Sequence, residues 1–141
     1  MCTTRLHIFQ LTLAIAATSL LLLLLPNVAQ AANLLLSPNT GTYSAGQTFT
    51  TTVRVVPGSG EEVNAVEASL SYDPDVLSVV SVNRDNSVFN LWTTEPTFSN
   101  AAGTVEFGGG TPTPFTTTSN VLTITFRAVA EGDAAVTFSD A

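Results

Sequence analysis

The chain has 141 residues, of which 45% are hydrophobic and only 11% are charged, so it is long enough for one folded domain and is not intrinsically disordered. Its formal net charge is −7 at pH 7 and it contains no Lys, which makes nucleic acid and anionic membrane surfaces poor partners. The only Cys and the only His, Cys2 and His7, both lie near the N-terminus.

The first 31 residues are typical of a secretory signal peptide. Arg5 precedes an apolar run over 11–25, Pro26 ends that run, and Ala29-Gln30-Ala31 offers the small residues that a signal peptidase reads. The run is shorter than the roughly 20 residues that a membrane-spanning helix needs, so a membrane anchor is the less favoured alternative. We therefore expect cleavage after Ala31 and an exported chain, secreted or at the cell surface, without further membrane association.

Residues 33–141 are then predicted to form one domain without a linker or internal repeat. Three Arg and all eleven acidic residues remain after cleavage, so the formal charge of the exported chain is −8. Because no Cys remains, its hydrophobic core must hold the fold without disulfides.

Alternation of apolar and polar residues with a period of two predicts β-strands through this domain. In the segment 64–72, for example, Leu70 and Tyr72 share one side, and Glu67, Ser69 and Ser71 share the other. The segment 77–82 is apolar enough for a strand buried on both faces. The predicted strands, in chain order, are 34–37, 48–56, 64–72, 77–82, 97–100, 104–107, 121–128 and 134–138.

Turn residues separate these strands. Residues 100–103 (Asn-Ala-Ala-Gly) predict a hairpin turn between two of them. Gly108-Gly109-Gly110 is interpreted as part of a flexible Gly/Pro-rich loop, because neither a Lys nor a helix start follows it as in a phosphate-binding loop. Many short strands with turns between them indicate an all-β sandwich or barrel, and we predict a single sandwich.

The exported domain lacks the side chains of most catalytic sites. Without His, Cys or Lys it cannot build a Ser-His-Asp triad, a thiol nucleophile, a Schiff base or the N and S ligands that zinc prefers. Carboxylates alone could serve a glycosidase. The candidates by residue type are Glu61, Glu62, Glu67, Glu95 and Glu106, although solvated surface carboxylates are the more favoured interpretation. We predict no catalytic residues and no enzyme.

Two further features each have two interpretations. Asp73-Pro74-Asp75 carries oxygen ligands suited to calcium, but a strand-ending turn is favoured, and no metal site is predicted. Trp92, the only Trp, is a candidate for stacking on a sugar ring. Its apolar neighbours Phe89 and Leu91 favour packing instead.

Residues 63–77, VNAVEASLSYDPDVL, resemble the cohesin domain of cellulosome scaffoldins and related surface proteins. Members of this family carry an alternating strand that ends in Tyr-Asp-Pro-x-x-Leu, and a Val-rich strand follows it. Residues 43–49, 120–128 and 132–138 resemble other parts of the family in order and spacing, so the likeness runs from Asn33 to the C-terminus.

The resemblance implies a jelly-roll, Ig-like β-sandwich of about nine strands, related to some carbohydrate-binding modules. After Phe138 the family continues into a last strand, and the expectation is that this strand is lacking here. It also implies a non-catalytic module that binds a dockerin-bearing protein through a flat sheet face, as in the scaffolding of polysaccharide-degrading or cell-surface complexes. Glu67, Ser69 and Ser71 are the implied contact residues, and calcium belongs to the dockerin, so this chain needs no cofactor. The alternatives are a polysaccharide-binding module that uses Trp92 and a structural Ig-like spacer of a surface protein.

Overall fold

The computed structural model describes residues 32–140, which form eight β-strands. The predicted signal peptide, residues 1–31, lies outside the described residues. Within 32–140 no helix has the length and apolar character needed to cross a membrane. The strands are β1 (Asn33–Ser37), β2 (Thr48–Val56), β3 (Val63–Ser71), β4 (Leu77–Asn83), β5 (Leu91–Ser99), β6 (Thr104–Phe115), β7 (Ser119–Ala128) and β8 (Thr137–Asp140).

The strands make two antiparallel four-stranded sheets that pack as the predicted sandwich. Sheet A has the order β1-β2-β7-β4, and sheet B has the order β5-β6-β3-β8. Strands β4 and β5, each at the edge of its sheet, are in contact on one side of the sandwich. The packing of the two sheets follows from the chain's alternation, because each strand has one apolar face to bury between the layers.

The core consists of the inward-facing residues of both sheets. Val53 and Val55 of β2, Leu70 of β3 and Phe126 of β7 are all fully buried. The ring of Tyr72 meets Phe126 edge-on, with 5.4 Å between the ring centroids. Strand β2 has the predicted bounds, and its inward-facing residues are Phe49, Thr51, Val53 and Val55.

Strand β4 is not buried on both faces as predicted. A register shift between Val79 and Ser81 interrupts its pairing with β7 and leaves the Val80 side chain 47% exposed. The reason is the two-layer architecture: in the described part of the chain each sheet packs on the other through one face only, so alternate side chains of β4 face away from the core. A short apolar run does not by itself distinguish a central strand from an edge strand.

The prediction of a flexible loop at Gly108-Gly109-Gly110 is wrong. All three glycines lie inside β6, paired with β3 on one side and β5 on the other. A Cβ at Gly109 would stand 3.0 Å from the Trp92 ring and 3.2 Å from that of Phe89, and one at Gly110 would stand 2.7 Å from the Asn64 carbonyl oxygen. These glycines are therefore explained by close approach of neighbouring groups within a strand.

The predicted hairpin turn between β5 and β6 is present, and hydrogen bonds of its Asn100 side chain link sheet B to sheet A. Gly103 has a φ of +67° and donates its N–H to the Ser99 carbonyl at 2.8 Å. Asn100 in the same turn accepts a hydrogen bond from the Val79 N–H at 2.7 Å and donates one to the Val79 carbonyl at 3.0 Å. Its amide oxygen also accepts the Tyr72 hydroxyl at 2.7 Å. One side chain of sheet B's hairpin thus substitutes for a strand partner at the β4 edge.

Candidate functional site

The outer face of sheet B carries the residues that the sequence singled out. Along β3, Ala68 and Leu70 point into the core, while Glu67, Ser69 and Ser71 point outward. Glu67 is exposed, and the two serines are half-buried. The predicted register of β3 is therefore confirmed, whereas the role of these three residues in binding stays a prediction.

Neighbouring strands extend this face with further polar side chains. In β6, Glu106 is opposite Ser69, and Thr104 is opposite Ser71. In β5, Thr97 is opposite Glu106. The Ser71 and Thr137 hydroxyls lie 3.2 Å apart, which ties β3 to β8. We call the surface formed by Glu67, Ser69, Ser71, Thr97, Thr104 and Glu106 the acidic face.

The acidic face concentrates negative charge because, among residues 32–140, no Arg is paired in register with its carboxylates. Glu67 and Glu106 are both exposed, and as diagonal neighbours on adjacent strands they lie roughly 7–8 Å apart. Arg84 forms an ion pair with Glu95 at the edge strand β5. Arg54 and Arg127 belong to β2 and β7 of sheet A, whose strands contain no acidic residue. Such a face can accept hydrogen bonds and attract cationic side chains.

Glycines keep one end of the acidic face flat. Gly108 is opposite Glu67, and Gly110 is opposite both Ala65 and Leu91. Because Gly108 and Gly110 lack side chains, β6 adds no side chain to the outer surface at this end. The neighbouring Leu91 side chain is 58% exposed. The face therefore passes from carboxylates and hydroxyls to a small apolar end, the combination found at protein–protein interfaces.

Sequence reasoning missed part of this site. The sequence identifies Leu91 only as an apolar neighbour of Trp92, and Glu106 only as a carboxylate of the type that a glycosidase uses. Their membership of the face depends on how β5 and β6 pair with β3, which involves two register shifts between β5 and β6. One local pattern does predict part of this surface. Thr104, Glu106, Gly108 and Gly110 occupy every second position, which is typical of one face of a single long strand.

Trp92 lies elsewhere, on the inward side of β5. It is half-buried, its ring meets Phe89 edge-on at 6.1 Å between centroids, and it is opposite Gly109. The Arg84 guanidinium lies 5.3 Å from the centroid of the Trp92 ring, within the range of a cation–π contact. These contacts favour the packing interpretation of Trp92 over sugar stacking.

The segment Asp73-Pro74-Asp75 forms a local turn at the end of β3. The Asp73 carboxylate accepts a hydrogen bond from the Asp75 N–H at 2.9 Å, and the Asp73 carbonyl accepts the Leu77 N–H at 2.9 Å. This is the aspartate-initiated turn favoured from the sequence. Among residues 32–140, no three His, Cys, Asp or Glu side chains are grouped as metal ligands.

Comparison with known proteins gives a consistent likeness. The model of the cohesin domain family matches residues 35–141. No curated protein matches the chain. A type I cohesin of ScaB from Pseudobacteroides cellulosolvens has 13% identity and a TM-score of 0.63, over 78% of this chain and 75% of that one. A cohesin from Clostridium acetobutylicum has 17% identity and a TM-score of 0.59, over 77% and 74%. A type I cohesin–dockerin complex from Clostridium thermocellum has 13% identity and a TM-score of 0.61, over 79% and 83%.

Proposed function

The chain belongs to the cohesin family, and on that premise we propose that it binds a dockerin-bearing protein through the acidic face of sheet B. Cohesin modules are non-catalytic binding domains, and the Clostridium thermocellum relative is a cohesin in complex with a dockerin. The role assigned to this chain is that of an interaction module of a scaffold, with Glu67, Ser69 and Ser71 among its contact residues.

The observation that carries this proposal is the register of β3. Glu67, Ser69 and Ser71 lie on the solvent side of a flat sheet, with Glu106 beside them on β6. A surface of exposed carboxylates and hydroxyls suits a partner that presents basic and hydroxyl side chains. The exposed Leu91 at the apolar end offers a contact for an apolar side chain of the same partner.

Calcium enters this proposal only through the partner. In the family resemblance the dockerin holds the calcium ions, and cohesin supplies a preformed sheet surface. Chelation should therefore abolish binding by unfolding the dockerin and leave the fold of this chain intact.

Calorimetric titration with a panel of dockerins, with and without chelator, tests the proposal. We expect micromolar or tighter binding to at least one dockerin, lost when calcium is removed, and weakened at least tenfold by Glu67→Lys. The matched control is Thr50→Lys, which adds the same positive side chain to the exposed outer side of β2 and should leave the affinity unchanged. Absence of binding to every dockerin, or equal losses in both variants, would contradict the proposal.

The absence of enzymatic activity is part of the same proposal. Glu67 and Glu106 project from an open sheet face, whereas glycosidases enclose their paired carboxylates around the substrate. We expect no hydrolysis of soluble or insoluble glycans, and any turnover that survives replacement of Glu67, Glu95 and Glu106 belongs to a contaminant.

Cohesin modules are typically extracellular, and we propose that residues 1–31 export this one. The supporting observation is the order of Arg5, the apolar run over 11–25 and the Ala29-Gln30-Ala31 site. N-terminal sequencing of the exported chain should begin at Ala32, and Ala31→Pro should block that cleavage. A chain that keeps Met1 after export would contradict the signal-peptide assignment.

A further inference from the structure

The connection between β6 and β7 has a composition that neither the core nor the acidic face explains. Residues 111–118 are Thr-Pro-Thr-Pro-Phe-Thr-Thr-Thr, so five of the eight residues are Thr and two are Pro. No charged residue lies between Glu106 and Arg127, which makes this stretch neutral within a strongly acidic chain. We call residues 111–118 the Thr/Pro segment.

The first half of the Thr/Pro segment bulges out of sheet B. Between the pairings of β3 with Gly110 and with Phe115, β3 uses one residue, Asn64, whereas β6 uses the four residues 111–114. Gly110 is also the last residue of β6 in register with β5, and no described residue is in register with 111–114. The backbone of these four residues is therefore accessible to another protein.

The rest of the molecule holds this segment in place from within. Phe115 is half-buried, and its ring centroid lies 6.2 Å from that of Phe89 in the core. Further along, the Ser119 hydroxyl donates a hydrogen bond to the Thr117 carbonyl at 2.9 Å. The segment is thus presented at the surface on either side of an anchoring aromatic residue.

Most of the hydroxyl groups of the segment face water. Four of its threonines are exposed, namely Thr113, Thr116, Thr117 and Thr118. None of these four hydroxyls forms a hydrogen bond with another described residue, whereas the Thr51 hydroxyl donates to the Pro38 carbonyl and the Thr52 hydroxyl lies 3.3 Å from that of Thr123. The four exposed threonines are therefore free to react without loss of a contact that holds the fold.

We propose that the four exposed threonines are sites of O-glycosylation. A composition rich in Thr and Pro is typical of exported segments that carry sugars on hydroxyl oxygens. Pro112 and Pro114 supply a physical reason, since each fixes its own φ and favours an extended conformation of the preceding Thr. An enzyme that binds extended peptides can then take up the segment without unfolding the sandwich.

The modification is the transfer of a sugar from a phosphate-linked donor. A Thr Oγ attacks the anomeric carbon of the sugar, where a new C–O bond forms and the bond to the phosphate oxygen breaks. The phosphate group leaves with the bonding electron pair, and the hydroxyl proton passes to a base of the transferase. The Thr side chain is thereby joined to the sugar by an ether-type glycosidic bond.

A sugar suits this segment better than a phosphate group on the same oxygens. Kinases select their substrates in part by charge patterns, and the segment and its flanks from 107 to 126 contain no charged residue. Phosphate would also add up to about two negative charges per site to a chain whose net charge is already −7, whereas a neutral sugar adds none. The inference rests on the export proposed above and does not depend on dockerin binding.

Intact-mass spectrometry of the protein purified from the organism that produces it tests the proposal. The mass should exceed that of the polypeptide beginning at Ala32 by one or more whole sugar residues, and electron-transfer fragmentation should place the sugars within 111–118. Replacement of the four exposed threonines together by Val should remove the added mass. Replacement of the same four by Ser, which keeps the hydroxyl groups, should retain it.

Thr48→Val/Thr50→Val is the matched control. Both threonines are exposed, but they lie within β2 in register with Arg127 and Thr125, and neither is next to a Pro. This variant should keep the added mass of the wild type. Circular dichroism of every variant checks that the sandwich is intact.

A chain that begins at Ala32 and has the mass of the bare polypeptide would overturn the proposal and leave the export standing. Sugar on Thr48 or Thr50, sugar that remains on the Val variant, or an added mass due to phosphate would overturn it as well. A chain that keeps Met1 contradicts the export instead, and its mass still reports separately on the sugar.

Discussion

At the scale of single residues, Asn100 connects more of the molecule than any other polar side chain of the described hairpin. Its amide satisfies both backbone groups of Val79 at the β4 edge and accepts the Tyr72 hydroxyl. Val79 and Tyr72 are buried, and the three bonds are part-buried, so water replaces them only incompletely. Asn suits this position because its side-chain amide has an NH2 donor and a carbonyl acceptor on separate atoms.

Asn100→Ala should lower the free energy of unfolding by about 1–3 kcal/mol, because it removes three part-buried hydrogen bonds, although the Tyr72 hydroxyl keeps the Ser99 carbonyl as a second acceptor. Urea denaturation followed by circular dichroism measures the change. The control Asn86→Ala removes an exposed asparagine from the β4–β5 loop and should change stability by less than about 0.5 kcal/mol. Equal effects of the two substitutions would show that the Asn100 bonds contribute no net stability.

Tyr72 should make stability depend on alkaline pH. Burial raises the pKa of its hydroxyl above the ordinary value of 10.0, so the folded state favours the neutral form. This contribution is present in full below the unfolded pKa and is lost as the pH rises through the folded pKa. Since the exported chain has no Lys and only one other Tyr, Tyr43, few groups compete in this range.

The urea midpoint should therefore fall as the pH rises above about 10 in the wild type and in Tyr43→Phe, but much less in Tyr72→Phe. At neutral pH, Tyr72→Phe should cost about 1 kcal/mol, from the hydrogen bond to Asn100. A Tyr72→Phe protein with an undiminished alkaline decline would contradict the assignment of that decline to Tyr72.

At the scale of strands, the sequence predicts elements well where one face is polar and the other apolar. Strand β2 has its predicted bounds, and β3 differs by one residue at each end. Strand β6 was predicted too short because its glycines are typical of loops, and their reason lies in residues distant along the chain, such as Trp92. The alternation of polar and apolar residues also predicts which residues of β3 face outward. Which residues of β5 and β6 lie beside them depends on cross-strand pairing, which no local pattern encodes.

Gly109 is the position where this tertiary explanation is tested most directly. Gly109→Ala adds a Cβ at 3.0 Å from both the Leu91 carbonyl oxygen and the Trp92 ring, and should destabilise the fold by about 1–3 kcal/mol with a shift in Trp fluorescence. In Gly108→Ala the closest atom, at 3.0 Å, is the Thr93 hydroxyl oxygen, and we expect a smaller loss because a side chain can rotate away. A larger loss at Gly108 than at Gly109 would contradict this explanation.

At the scale of the whole molecule, charge separates the two sheets. The strands of sheet B carry Glu67, Glu95, Glu106 and Asp140, whereas those of sheet A carry Arg54 and Arg127 without any acidic residue. Among strand residues, negative charge therefore lies only on the proposed binding side. Long-range attraction of this kind acts mainly on the rate of association.

The association rate with a basic dockerin should fall as salt rises, while the dissociation rate changes little. Stopped-flow measurements at several ionic strengths give both rates. The double variant Glu67→Gln/Glu106→Gln should flatten the salt dependence. Glu131→Gln/Asp133→Asn, which removes the same net charge from the β7–β8 loop, should retain most of it. Similar salt slopes in the two double variants would place the attraction outside the acidic face.

The unequal distribution of strand charges between the layers also contributes a component to the electric dipole moment of the sandwich that runs across its thickness. A cationic protein approaching from any direction exerts a torque on such a molecule, and rotation then presents sheet B before the surfaces touch. A larger share of first collisions would then be in the productive orientation, without any moving part in the fold.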